Sequence, residues 1–220
     1  MKHQKNYLSI ISVLLAMFLL TFASYTKAQS NRGNGDESVG FGLFSTHNGH
    51  EYVDLGLSVK WATCNVGANT PEEYGDYFAW GETTPKSSYT KSNYTYSSNP
   101  AMLPLSADAA NYNWGGSWRM PTEEEIDELI DENNCTWTWT TQNGVAGYKV
   151  TSKKNGKSIF LPAAGFRSGD YLSDESGKYW SSSLHRSYSR YASFVFFYSD
   201  GVDWSTDDRY YGQSVRAVCE

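Results

Sequence analysis

A chain of 220 residues is long enough for one domain of ordinary size or at most two small ones, and a single core preceded by something dispensable is expected. With 40% hydrophobic, 16% aromatic and 19% charged residues it is too apolar for a disordered chain and too weakly charged for a coiled coil. A net charge of −6, with Lys and Arg scattered, excludes the electrostatic footprint of a nucleic-acid binder, so neither DNA nor RNA is an expected partner.

Lys2 and Lys5 make a positive start, residues 8–23 are uncharged, and Thr26 and Ala28 supply small residues at a cleavage point. This pattern predicts a secretory signal peptide over 1–28, cut after Ala28. The run is shorter than the roughly 20 apolar residues of a spanning helix. An exported protein without membrane insertion is therefore expected, in the periplasm, on the cell surface or secreted. Residues 29–48 are rich in Ser, Asn and Gly and read as a flexible tether, which leaves one domain over 49–220.

Within that domain, Val53, Leu55, Leu57, Val59 and Trp61 alternate with polar residues, which predicts a strand pair broken at Gly56. Residues 65–116 carry Pro71, Pro85, Pro100 and Pro104 and a Ser/Tyr/Thr tract at 87–98, so only short helical turns are expected, one at 71–74. Thr122 followed by Glu125 is a capping box, with Ile126, Leu129 and Ile130 as a buried stripe, and predicts a helix over about 122–133. A meander follows: 137–141, a turn at Asn143-Gly144, 147–152, a turn at Asn155-Gly156, then 158–161. Further strands are expected at 179–183, 191–198, 202–204 and 214–218, with a turn at Asp200-Gly201. The class is α+β, with short twisted strands and hairpins, one clear helix and long loops.

Export permits disulfides, and the cysteines are Cys64, Cys135 and Cys219. Cys219 is the penultimate residue, where order is poorest, so a Cys64–Cys135 bridge is expected with Cys219 left over. Their spacings match no zinc or redox motif.

Glu51-Tyr52-Val53-Asp54-Leu55-Gly56-Leu57-Ser58-Val59-Lys60-Trp61-Ala62-Thr63-Cys64-Asn65-Val66-Gly67 resembles a large family of exported proteins of Gram-negative gut bacteria, the Fibrobacter succinogenes major paralogous domain family. Further matches are Tyr74-Gly75-Asp76-Tyr77-Phe78-Ala79-Trp80-Gly81-Glu82, Trp118-Arg119-Met120-Pro121-Thr122, Phe160-Leu161-Pro162-Ala163-Ala164-Gly165, Tyr179-Trp180-Ser181-Ser182-Ser183 and Gly212-Gln213-Ser214-Val215-Arg216-Ala217-Val218. Together they cover nearly all of residues 50–220 in order. The resemblance implies a C-type lectin-like fold related to formylglycine-generating enzymes, and leaves function open.

Formylglycine-generating enzymes hold copper through a cysteine pair near the C-terminal end, where this chain has Cys219 alone. No catalysis is expected. The Glu-Pro-Asn, Gln-Pro-Asp and Trp-Asn-Asp motifs of calcium-dependent lectins are absent, so no metal and no cofactor are expected. The acidic helix face of Glu123, Glu124, Glu125, Asp127, Glu128, Asp131 and Glu132 reads as solvated. Residues 184–211 are rich in Tyr, Arg and Asp among small polar spacers, the composition of contact surfaces. From them the candidate ligand-binding set is His185, Arg186, Tyr188, Arg190, Tyr198, Asp203, Asp207, Asp208, Arg209 and Tyr210, with Phe194, Phe196 and Trp204 assigned to the core. The expected function is an exported, non-catalytic module for a glycan or protein ligand at the cell surface. The alternative is a structural or assembly component of a surface appendage or envelope complex, and the oligomeric state is left open.

Overall fold

The strand pattern produces four small antiparallel sheets in a computed structural model that describes residues 45–173 and 176–220. The expected signal peptide and most of the expected tether lie outside the described residues. β1 (Ser45–His47) pairs with β2 (His50–Val53), so the ordered hairpin takes in residues assigned above to the tether. β3 (Lys60–Ala62) follows, and β13 (Val218–Cys219) closes this four-stranded sheet against it. β4 (Cys135–Gln142), β5 (Val145–Ser152) and β6 (Ser158–Pro162) form the expected meander. The tight turn between β4 and β5 is Asn143-Gly144, both at positive φ, as an Asn-Gly hairpin requires. β7 (Phe166–Ser168), β8 (Tyr171–Ser173) and β12 (Gly212–Gln213) make a third sheet.

The sheet that positions the site is β9 (Gly177–Leu184), β10 (Tyr191–Tyr198) and β11 (Gly201–Asp208), with β10 central and β11 at the edge. Side chains alternate along β10. Ala192 and Phe194 enter one core cluster, with Trp80, Trp118 and Trp180, while Val195 and Phe197 enter the other, with Ile126, Leu129 and Tyr148. Among the described residues the protein is β-rich with few helices, mostly small antiparallel sheets. Among the described residues no helix is long and apolar enough to cross a membrane.

Two α-helices are present among the described residues. α1 (Ala109–Trp114) was not foreseen: Asp108 caps it by accepting from Ala110 N and Asn111 N at 2.9 and 3.0 Å, and its other oxygen accepts from Met120 N at 2.8 Å. α2 (Glu123–Ile130) has the expected capping box, with Thr122 Oγ1 accepting from Glu125 N at 3.2 Å and Glu125 Oε2 from Thr122 N at 2.9 Å. Arg119 adds a bidentate ion pair to Glu125, at 2.7 and 2.6 Å. The helix stops three residues earlier than expected because Asp131 leaves helical geometry and turns its carboxylate onto Asn133 N, while Asn134 caps Glu128 O.

Residues 212–219 run buried through the centre of the molecule, bonding in turn to Phe78, Trp180, Val66, Ala62 and Arg119. The end of the chain is thus core, and the premise of the cysteine assignment fails. All three cysteines are free. Cys135 opens β4 against Ile126 and Leu129, Cys219 lies in the other cluster, and Cys64 sits beyond the end of β3 beside Thr63, so the expected Cys64–Cys135 bridge does not form. Burial pushes the Cys135 thiol up and that of Cys219 up to about 11. Native protein at neutral pH should therefore take iodoacetamide at Cys64 at most, and denatured protein at all three. A reductant should leave Tm unchanged; a drop would contradict the free-thiol arrangement.

Candidate functional site

The first turn of α2 is tied to the central sheet, because Glu123 N donates to Ser183 Oγ at 3.1 Å and Ser193 Oγ lies 3.5 Å from Glu123 Oε2. On either side of Glu123 the surface falls into a cleft. One, of about 500 Å3, is lined by Asn99, Met102, Glu124 and Leu184. The other, of about 520 Å3, is lined by Asp127, Ser187, Trp204 and Thr206. Both share Glu123, His185 and Arg186, so they adjoin as one groove between α2, the 185–187 loop and the edge strand β11.

Trp204 lies opposite Val195 on β11. As an edge strand, β11 has no neighbour to cover it, so the indole stays half-buried and donates its N–H to Asp127 Oδ1 at 2.9 Å. The assignment of Trp204 to the core is thereby corrected: it is a wall of the groove. Phe194 is core, and Phe196 is half-buried against the same cluster. Burial, then the negative charge of Glu124, pushes the Asp127 carboxyl above its ordinary value. Glu123 and Asp127 stand four apart on one helix face, a like-charge spacing that disfavours a helix for its own sake. That spacing was the available signal that this acidic face does more than meet solvent.

The predicted set does not form one surface. His185 and Arg186 line the groove. His185 Nδ1 accepts from Ser187 N and Tyr188 N, both at 3.1 Å, which shapes the loop and leaves Tyr188 exposed beside it. Asp203 and Asp207 point to the opposite face of β11 from Trp204 and Thr206, because strand side chains alternate. Asp207 pairs there with Lys178 at 3.0 Å, and Asp203 caps Trp204 N at 2.8 Å. Tyr198 stands at the far end of β10, seven residues from Tyr191, about 23 Å at the usual rise per residue.

Asp208 is buried and takes Arg190 in a two-pronged ion pair. The hydrogen bond from Arg190 holds the Asp208 carboxyl below its ordinary value. Tyr210 leans on the same carboxylate at 3.3 Å, its hydroxyl pushed up to about 12 by burial first and then by its neighbours. Arg209 is 5% exposed and wholly engaged with residues 94–99 and 189. Asp207, Asp208 and Arg209 are thus held by partners within the fold, outside the groove.

Among the described residues no three or more His, Cys, Asp or Glu side chains come together as a metal site. The groove offers a half-exposed indole, one guanidinium, one imidazole, two glutamates and an aspartate, a mixture suited to stacking and hydrogen bonding. Comparison with protein-family models, with curated proteins and with solved structures gave no match.

Proposed function

We propose that the chain is an exported, non-catalytic binding module of C-type lectin-like fold, and that its ligand, a glycan first and a protein second, occupies the groove between α2, the 185–187 loop and β11. The carrying observation is Trp204, a rigid ring half-exposed on the wall of an open groove rimmed by hydrogen-bonding side chains. Apolar faces of sugar rings stack on such an indole while Arg186, Glu123 and Asp127 meet their hydroxyls. The fold assignment is supported by the resemblance to the major paralogous domain family, since Trp61, Trp80, Trp118, Trp180 and Arg216 of its motifs are all buried here. Export rests on the sequence of residues 1–28.

The alternative, a component of a surface assembly, draws on the exposed rings of Tyr112, Tyr171, Tyr188 and Tyr198. Oligomers crosslinked through Cys219 are not a route to it, because that thiol is fully buried. The test is a mixed glycan and protein array probed with the purified protein and with Trp204→Ala, each with and without chelator. Trp204→Ala removes a half-exposed ring and should stay folded. Binding by the parent, indifferent to chelator and reduced about tenfold or more in the variant, is the expected result. No binding by the parent, together with concentration-dependent self-association, would move the assembly reading to first place.

A further inference from the structure

At the opposite end of the same sheet lies a second cleft, of about 550 Å3, that the predicted ligand set did not include. It opens between the end of α2, the start of β4 and the hairpin tip joining β10 to β11, with Ile130, Trp137, Tyr148 and Val202 as its apolar lining and Glu132 and Asp200 at its rim. Trp137 is fixed by its indole N–H, which donates to Leu129 O at 3.0 Å. Tyr148 is held edge-on by Trp137, Trp139 and Phe197, with ring centroids 5.5, 5.2 and 5.3 Å away.

Tyr148 is only 6% exposed, yet its hydroxyl has no hydrogen-bond partner among the described residues and is not sealed from solvent. The ring is buried while the hydroxyl stays open to solvent, so that hydroxyl is free to meet a ligand. Tyr148 lines the cleft, close enough to Asp200 to feel its charge; burial first, and then that charge, raises the hydroxyl above its ordinary value and keeps it neutral. The carboxylates of Glu132 and Asp200 carry no ion pair among the described residues. Lys153, the cation among the lining residues, donates to Glu132 O at 2.5 Å and offsets one of the two carboxylates. The net charge of −1 that remains over fixed aromatic rings favours a cation above a neutral ligand.

We propose that this cleft is a second binding site, distinct from the Trp204 groove, that takes the basic side chain of a partner polypeptide. Its alkyl stem lies along Ile130, Trp137 and Val202, and its ammonium or guanidinium group donates to Tyr148 Oη and the Asp200 carboxylate. The rings are already locked by one another, so little is lost in ordering them when the side chain enters.

The test titrates the purified protein with Nα-acetyl-arginine amide and Nα-acetyl-lysine amide, beside the matched neutral amides of citrulline and norleucine and a set of methyl glycosides. The readout is the indole N–H resonance of Trp137. The basic compounds should move it saturably, the effect fading at high salt, and the neutral ones should not. Asp200→Asn should weaken binding about tenfold, and Tyr148→Phe about threefold with Tm unchanged, since that hydroxyl serves no contact within the fold. Trp204→Ala should leave this binding intact, so failure of the groove and failure of this site are separately visible. Equal response to citrulline or norleucine, a stronger response to a glycoside, no response in the parent, or a Tm drop in Tyr148→Phe would each overturn the proposal.

Discussion

Arg216→Ala is expected to cost about 4 kcal/mol or more and to lower Tm by about 10 °C or more. The guanidinium is 1% exposed and has no carboxylate among its hydrogen-bond partners. Four acceptors replace one: Asn65 Oδ1 at 2.9 Å, Ala62 O at 3.0 Å, Thr63 O at 2.6 Å and Phe160 O at 3.0 Å. Burial lowers its pKa from the ordinary arginine value, and the carbonyl dipoles offset part of the cost of hiding the charge. These acceptors belong to the end of β3 and to β6, so one side chain joins the central C-terminal segment to two sheets. Truncation leaves a cavity and several buried carbonyls without donors at once. Arg216→Lys keeps the charge but lacks the planar fork, and should recover less than half of the loss. Thermal unfolding measures both, and an alanine variant melting within about 3 °C of the parent would remove this arginine from its assigned role.

Arg209→Ala should cost about 3 kcal/mol and lower Tm by about 6–12 °C, although its sequence context suggested ligand binding. Its N–H groups donate to Tyr94 Oη, Asn99 Oδ1, Ser189 O, Tyr96 O and Ser98 O at 2.7–2.9 Å. The guanidinium also lies 4.9 Å from the Trp80 ring centroid. Tyr94 in turn donates to Trp80 O at 2.7 Å, and its hydroxyl is pushed up to about 12, by burial above all. The long irregular stretch at 94–99 is thereby fastened by a residue more than a hundred positions away. A ligand-contacting arginine behaves differently: its loss would weaken binding and spare Tm. Denaturation and array binding on one preparation of Arg209→Ala separate the two roles, and unchanged stability with lost binding would restore Arg209 to the ligand set.

Those two arginines show what was legible in the sequence and what was not. The capping box of α2, the bounds of β10 and the Asn143-Gly144 hairpin were readable because each depends on neighbours within a few residues. α1 is too short for periodicity, and β7, β8 and β12 are too short for alternation, so tertiary pairing alone makes them strands. Composition marked residues 184–211 as rich in Tyr, Arg and Asp, but it carries no information on whether a charge faces inward. Asp208 and Arg209 meet partners up to 115 residues away. Trp204 was hidden for a related reason. Its spacing matches a buried strand position, and only the edge place of β11 in the sheet leaves it uncovered. The cysteine assignment failed because the chain end, by habit frayed, here threads the core.

The groove itself is tested most directly by the indole N–H resonances of the eight tryptophans, one for each ring. With the best ligand from the array added to the labelled protein, the Trp204 resonance should move, since its N–H already points into the groove toward Asp127. Trp61, Trp118 and Trp180, buried at 2% exposure or less, should stay where they are. A shift confined to Trp137 and Trp139, with Trp204 unmoved, would place the ligand at the other end of the sheet and contradict binding in the Trp204 groove.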